Sequence, residues 1–246
     1  MKQVFMAVFC LIFLFSGVLY AQEWTHSLSL GLNATQGNTE TTKINTDYKG
    51  GLKWDEAEAL FDFAANFGTD NEIRNVENYR AELQYNQNFP FLAGTGIYCF
   101  LNASYEIDHM ADLERRFLIG PGIGWDPIDK ESVSLDLELG GSNLNLKYED
   151  HDAENDTAVR ITEEFKWQIT ETARLWQTAE YLETVDEHDA YVINSELGIE
   201  TSISEHFNIK SFVSDKYNNA PAFDKDADEY KKKHDLAFTT MLVYTF

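Results

Sequence analysis

Three stretches set histidine beside carboxylates: Asp108-His109, Asp150-His151-Asp152 and Asp186-Glu187-His188-Asp189. Imidazole and carboxylate both ligate transition metals, so these groups would make a metal site if they converged. An Asp/His pair would instead activate water for hydrolysis. No one stretch holds two histidines, so either chemistry requires the stretches to meet in space. Acidic loops with an occasional histidine would look the same. No catalytic, cofactor-binding or metal-ligating residue is assigned on this basis, and no cofactor is implied.

A serine nucleophile needs a histidine on a compatible face of a neighbouring strand. His26 and His234 fall on the first and last strands read below, but Ser27 and Ser29 have the opposite parity to His26. His26 fits better as an interfacial residue beside Trp24, and His206 reads as part of a short turn. Gly120, Gly122 and Gly124 follow no phosphate-loop spacing. Their alternation leaves room for a neighbouring side chain.

The elements that position these residues come from a period of two, the signature of strands with two different faces. Trp24, His26, Leu28, Leu30, Leu32 and Ala34 interleave with Thr25, Ser27, Ser29, Gly31, Asn33 and Thr35. The same alternation runs through Thr42–Trp54, Phe61–Phe67, Tyr79–Phe89, Cys99–Ile107, Phe117–Trp125 and Val133–Leu139. Further strands lie near 157–169, 174–184, 190–202, 207–217 and 231–246. In the ninth, Leu175-Trp176 blurs which face is which. About twelve strands result, an even number, predicting an all-β, transmembrane, antiparallel up-and-down β-barrel.

Short connections are expected near Asp55–Glu58, Pro90–Gly94, Asp126–Glu131, Thr170–Ala173 and Ser202–His206. Longer ones, acidic or Asn-rich, are expected near 69–75, 148–157 and 217–231, and the three His stretches fall on this long-loop side. Trp54, Phe89 and Trp125 each close a strand near a short turn and suggest one interfacial aromatic girdle. The final segment alternates Phe238, Thr240, Leu242, Tyr244 and Phe246, a pattern suited to recognition by a barrel-assembly machinery.

Residues 1–21 differ from the rest: Lys2 precedes an apolar run from Phe5 to Ala21, which reads as a signal peptide, leaving 22–246 as the barrel. No later apolar stretch approaches the ~20 residues a membrane helix needs. The 42 acidic residues outnumber the 19 basic ones, which argues against nucleic acid as a partner. Once Cys10 leaves with the leader, Cys99 has no disulfide partner.

Parity, with the ninth strand left out, places nine cations inside: Lys43, Lys49, Lys53, Arg80, Arg116, Arg160, Lys166, Lys210 and Lys216. Eleven acids face them: Asp47, Asp62, Glu82, Glu106, Asp108, Glu114, Asp136, Glu138, Glu164, Glu196 and Glu200. Near-balance inside a barrel of this size predicts an ion-pair network and a narrow or plugged lumen. The remaining acid lies at rims and loops. There it would keep loops solvated, attract cations to a channel mouth, or bind divalent cations that bridge to lipopolysaccharide phosphates.

Some of these segments resemble a family. "SLSLGLNATQGNTET" (Ser27–Thr41) is similar to the Gly-Asn-Thr hairpin of the salt-induced outer-membrane proteins, and "RRFLIGPGIGW" (Arg115–Trp125) to their Gly-Pro-Gly-x-Gly strand. "NNAPAFDKDADEY" (Asn218–Tyr230) resembles their last loop, with the Pro-Pro-Gly replaced by Ala220-Pro221-Ala222. The resemblance covers nearly all of the mature chain, implies an outer-membrane barrel, and brings no established activity. It suggests a link to salt or osmotic conditions. The expectation is a non-enzymatic envelope protein set among outer-membrane lipid and lipopolysaccharide. A cation-preferring channel is the first alternative, and a loop-borne metal-binding protein or Asp/His hydrolase the second.

Overall fold

In a computed structural model, the alternation from Trp24 onward becomes twelve antiparallel strands that close on themselves. The structure describes residues 23–35, 41–185, 191–221, 223–224, 229–230 and 232–246, so the proposed leader lies outside the described residues. The strands are β1 (Glu23–Thr35), β2 (Thr41–Lys53), β3 (Ala57–Asp70), β4 (Ile73–Asn88), β5 (Ile97–Asp108) and β6 (Leu113–Lys130). They continue with β7 (Val133–Tyr148), β8 (Glu154–Gln168), β9 (Ala173–Thr184), β10 (Tyr191–Ser202) and β11 (Phe207–Asn218). A two-residue pair, β12 (Phe223–Asp224) and β13 (Glu229–Tyr230), stands apart from the barrel before β14 (His234–Thr245). Each barrel strand pairs with its sequence neighbours, and β14 returns to β1. That last ladder is the shortest: it runs from Ser27↔Thr245 to Leu30↔Leu242, whereas β1 and β2 pair along their whole length.

The apolar set points outward. Leu32, Leu236 and Phe238 are each about 70% exposed, and Ile123 and Leu139 are 58% exposed. A water-soluble barrel would turn these positions inward; a barrel in lipid needs them on its wall. Full closure also leaves no sheet edge for lipid to desolvate.

We call the end holding Glu23 and Phe246 the near end. Its wall carries exposed Trp24, Trp125 and Trp167, and His26 stacks on Phe246 with centroids 4.6 Å apart. His206 contacts Tyr244 at the same end. A second girdle encircles part of the far end, where Tyr181, Tyr191, Tyr217 and His234 follow one another at centroid spacings of 5.5, 5.8 and 4.8 Å.

The loop pattern departs from expectation at two places. The loop expected near 69–75 is a two-residue turn, Asn71-Glu72, with φ of 48° and 65°; the strands simply continue into it. Such left-handed pairs match strand twist in tight hairpins, and Asn adopts them readily. Conversely, the near-end connection from Phe89 to Gly96 is longer than a tight turn and holds a short 3-10 helix, Pro90–Leu92. Proline at its start explains the departure from the ladder, because it offers no N–H to a neighbour.

The glycines of β6 do leave room for neighbours. A methyl at Gly122 would strike the Phe100 ring, and one at Gly124 the Tyr98 ring. At Gly120 the neighbour is backbone, Gly141 and Ser142 of β7.

Candidate functional site

Parity brings cations and acids to one interior, and the barrel's curvature carries them across it. Arg160 on β8 is the hub. Its Nε lies 2.6 Å from Glu180 Oε2, Nη1 3.3 Å from Glu138 Oε2, and Nη2 3.1 Å from Glu82 Oε1. Arg80 binds Glu82 at 2.8 Å and reaches Glu180 at 3.6 Å. Arg116 binds Glu106 at 2.8 Å, and Lys216 of β11 binds the other oxygen of the same carboxylate. In the cyclic strand order β5 and β11 are diametrically opposite, so the Glu106–Lys216 pair spans the lumen.

Amides complete the acids' coordination. Asn102 Nδ2 donates to Glu82 Oε1 at 2.6 Å and Asn194 Nδ2 to Glu180 Oε1 at 2.9 Å. Thr162 Oγ1 donates to Glu138 Oε2 at 3.0 Å. The cavity within this cluster, lined among others by Arg80, Glu106, Arg116, Arg160 and Glu180, measures about 10 Å³. That is room for one water at most. Carboxylates held by guanidinium forks and amides in a poorly hydrated interior form a network whose members depend on one another.

Three further lumenal features flank the network. Asn45, Asn66 and Asn78 form an amide ladder across β2, β3 and β4, with bonds of 2.6 and 2.8 Å. Lys210 lies over Trp176 at 4.4 Å and over Phe212 at 4.8 Å, while Trp176 rests on Gly198. Towards the near end, Tyr98 Oη has both Asp136 oxygens at 2.9 and 3.0 Å and Glu138 Oε1 at 3.0 Å. One hydroxyl hydrogen serves these three oxygens in turn.

The parity reading placed most of these residues correctly and missed one that matters. Glu180 lies on β9, the strand left out of the sorting. Trp176 (6% exposed) and Leu182 (7%) face inward, and Glu180 lies between them in the same alternation. Arg174, bound to Glu200 at 2.9 Å, joins the inward set too, so β9 adds one charge of each sign. The signal was available: Arg174, Trp176, Glu180 and Leu182 share one parity. Glu114 is a correction in the other direction. An irregularity between Leu113 and Arg115 turns Leu113 inward (2% exposed), and exposed Glu114 pairs with Lys147 of β7 instead of facing the lumen.

The two described histidine stretches, Asp108-His109 and Asp150–Asp152, lie at the far end but are engaged separately. Asp108 accepts from the backbone N–H groups of Met110 and Ala111, both at 3.1 Å, and so caps the short helix His109–Ala111. His151 Nδ1 contacts the Glu149 carbonyl at 2.8 Å. Asp186–Asp189 lie outside the described residues. No group of three metal-ligating side chains occurs among the described residues. His26 and His234 sit on paired strands at opposite ends, and His234 instead meets Asp215 at 2.9 Å. Replacing Asp108 with Ala removes two backbone caps and the lumenal charge 3.7 Å from Lys216. A loss of about 1–2 kcal/mol is expected in urea titration of the refolded barrel. Asp108→Asn, which keeps the caps, should recover most of it.

A family model described as "Protein of unknown function, DUF481" matches residues 28–246. The chain belongs to the DUF481 family. Among curated proteins, it is 25% identical over 198 residues to the uncharacterized protein YdiY of Escherichia coli (strain K12), covering 79% of this chain and 74% of that one. Among solved structures, the fold is similar to the NanC porin, with a TM-score of 0.51 at 8% identity over 89% of this chain and 98% of that one. It is less similar to the translocator domain of the autotransporter NalP from Neisseria meningitidis, with a TM-score of 0.44 at 12% identity, covering 100% and 95%. The DUF481 chain thus forms an outer-membrane-type β-barrel.

Proposed function

We propose that this DUF481 protein is a non-enzymatic resident of the bacterial outer membrane whose lumen is occluded at mid-height. The observation that carries the reading is the lumen-spanning contact of Glu106 with Lys216, reinforced by Arg160 reaching Glu82 four strands away around the wall. A hydrated path would have to break these contacts, and freeing any one buried charge is costly. Outer-membrane lipid and lipopolysaccharide surround the apolar wall. β14, with Phe246 after it, addresses the assembly machinery, and residues 1–21 direct export. Acidic groups at the far end hold divalent cations against lipopolysaccharide phosphates. A role under changing salt is the part of this reading that rests on sequence resemblance.

The test is single-channel conductance of the refolded barrel in a planar bilayer under a potassium chloride gradient, with folding verified by a heat-dependent gel shift. No discrete conductance steps are expected. Stepwise currents with a cation-selective reversal potential would establish the second reading, a cation-preferring channel. That reading draws its support from the three carboxylate oxygens gathered at Tyr98.

A further inference from the structure

The outer wall carries one charge where none belongs. Glu163 shares the outward parity of Ile161 and Trp167, both 48% exposed, and its register partners are Leu137 and Ala179. It is five residues from Gln168 at the near end of β8 and nine from Glu154 at the far end, well inside the apolar belt. Other outward charges lie close to the far rim, several of them paired: Arg74 with Glu77, Glu114 with Lys147, Asp215 with His234. Among the described residues, none donates a hydrogen bond or forms an ion pair to Glu163. An ionisable group facing lipid is costly and normally finds a partner.

Three features around it point the same way. Glu163 opens into a hollow of about 610 Å³ on the outer wall, walled by Trp125, Leu137, Ile161 and Tyr181, with Ala179 at its floor. Gln177, on the adjacent β9, has the same outward parity and pairs in register with Phe165, two residues along β8 from Glu163, so the two polar side chains are diagonal neighbours on the wall. It too has no partner among the described residues. Small Ala179, opposite Glu163 and two residues from Gln177, permits close approach of another wall, as small residues do at membrane interfaces.

We propose that this face, centred on Ala179, is where a second copy of the chain docks, with Glu163 of each copy accepting from the Gln177 amide of the other. Two copies in one membrane share an axis along its normal, so a residue meets residues at its own depth. A two-fold contact is self-complementary: an acceptor and a donor that are diagonal neighbours on adjacent strands satisfy each other twice. The proposal does not depend on whether the lumen is closed.

The test uses the full-length protein in its native membrane, with Cys99 changed to Ser to remove the exposed native thiol. Ala179→Cys should give an oxidised dimer band, whereas Ala65→Cys, on the diametrically opposite β3, should stay monomeric. Adding Glu163→Leu should lower the cross-linked fraction about tenfold. Glu163→Gln should retain it, because the amide still accepts from Gln177. The heat-dependent gel shift must be unchanged in all variants. Equal cross-linking at 65 and 179, none at either position, or a product with a protein of another mass would each overturn the proposal.

Discussion

Arg160→Ala is expected to destabilise the barrel by about 3–5 kcal/mol, because it strands carboxylates that the rest of the network cannot neutralise. Its guanidinium contacts Glu82, Glu138 and Glu180, and its side chain is only 10% exposed. Arg80 still reaches Glu82 and Glu180, so the orphaned group is chiefly Glu138. Adding Glu138→Gln to Arg160→Ala should therefore restore a substantial part of the loss. Urea titration in detergent or lipid, read by tryptophan fluorescence and gel mobility, measures both variants. If Arg160→Ala cost less than about 1 kcal/mol, as a solvent-exposed pair would, the lumen would be wetter than the contacts imply. In the bilayer assay, conduction should begin when Lys216→Ala is added to Arg160→Ala, since the lumen-spanning contact and the hub are then both gone.

Gly120→Ala is the second large effect. A methyl there would lie 2.0 Å from the Gly141 carbonyl oxygen and 2.6 Å from Ser142 Cα. Both atoms belong to the backbone of the paired strand, which cannot rotate away as a side chain could. The ladder between β6 and β7 must shift, at a cost of about 3 kcal/mol or a failure to fold. Gly141→Ala is the control, because nothing lies within 4 Å of the added methyl. It should change stability by less than about 0.5 kcal/mol. Refolding yield by heat-dependent mobility, followed by urea titration, separates the two. Equal behaviour would contradict the close approach of β6 to β7.

The alternation of Leu28, Leu30 and Leu32 with Ser27, Ser29 and Gly31, repeated along the chain, was enough to predict a closed barrel with its apolar face outward. Strand periodicity is local, so each segment announces its own two faces. The same parity assigned Arg80, Arg116, Arg160 and Lys216 to the interior with the acids that bind them. Where both parities are apolar, as at Leu175-Trp176, the local signal fails and Glu180 went unassigned. Where a bulge inserts a residue, as before Arg115, parity reverses and Glu114 was misplaced. Tertiary structure alone decided which charges meet. Glu106 and Lys216 are 110 residues apart and Glu82 and Arg160 are 78 apart, joined only because twelve strands curve into one wall. The diagonal placement of Glu163 and Gln177 belongs to the same class, since it depends on strand register. Period two states which face a residue occupies; closure and register state what it faces.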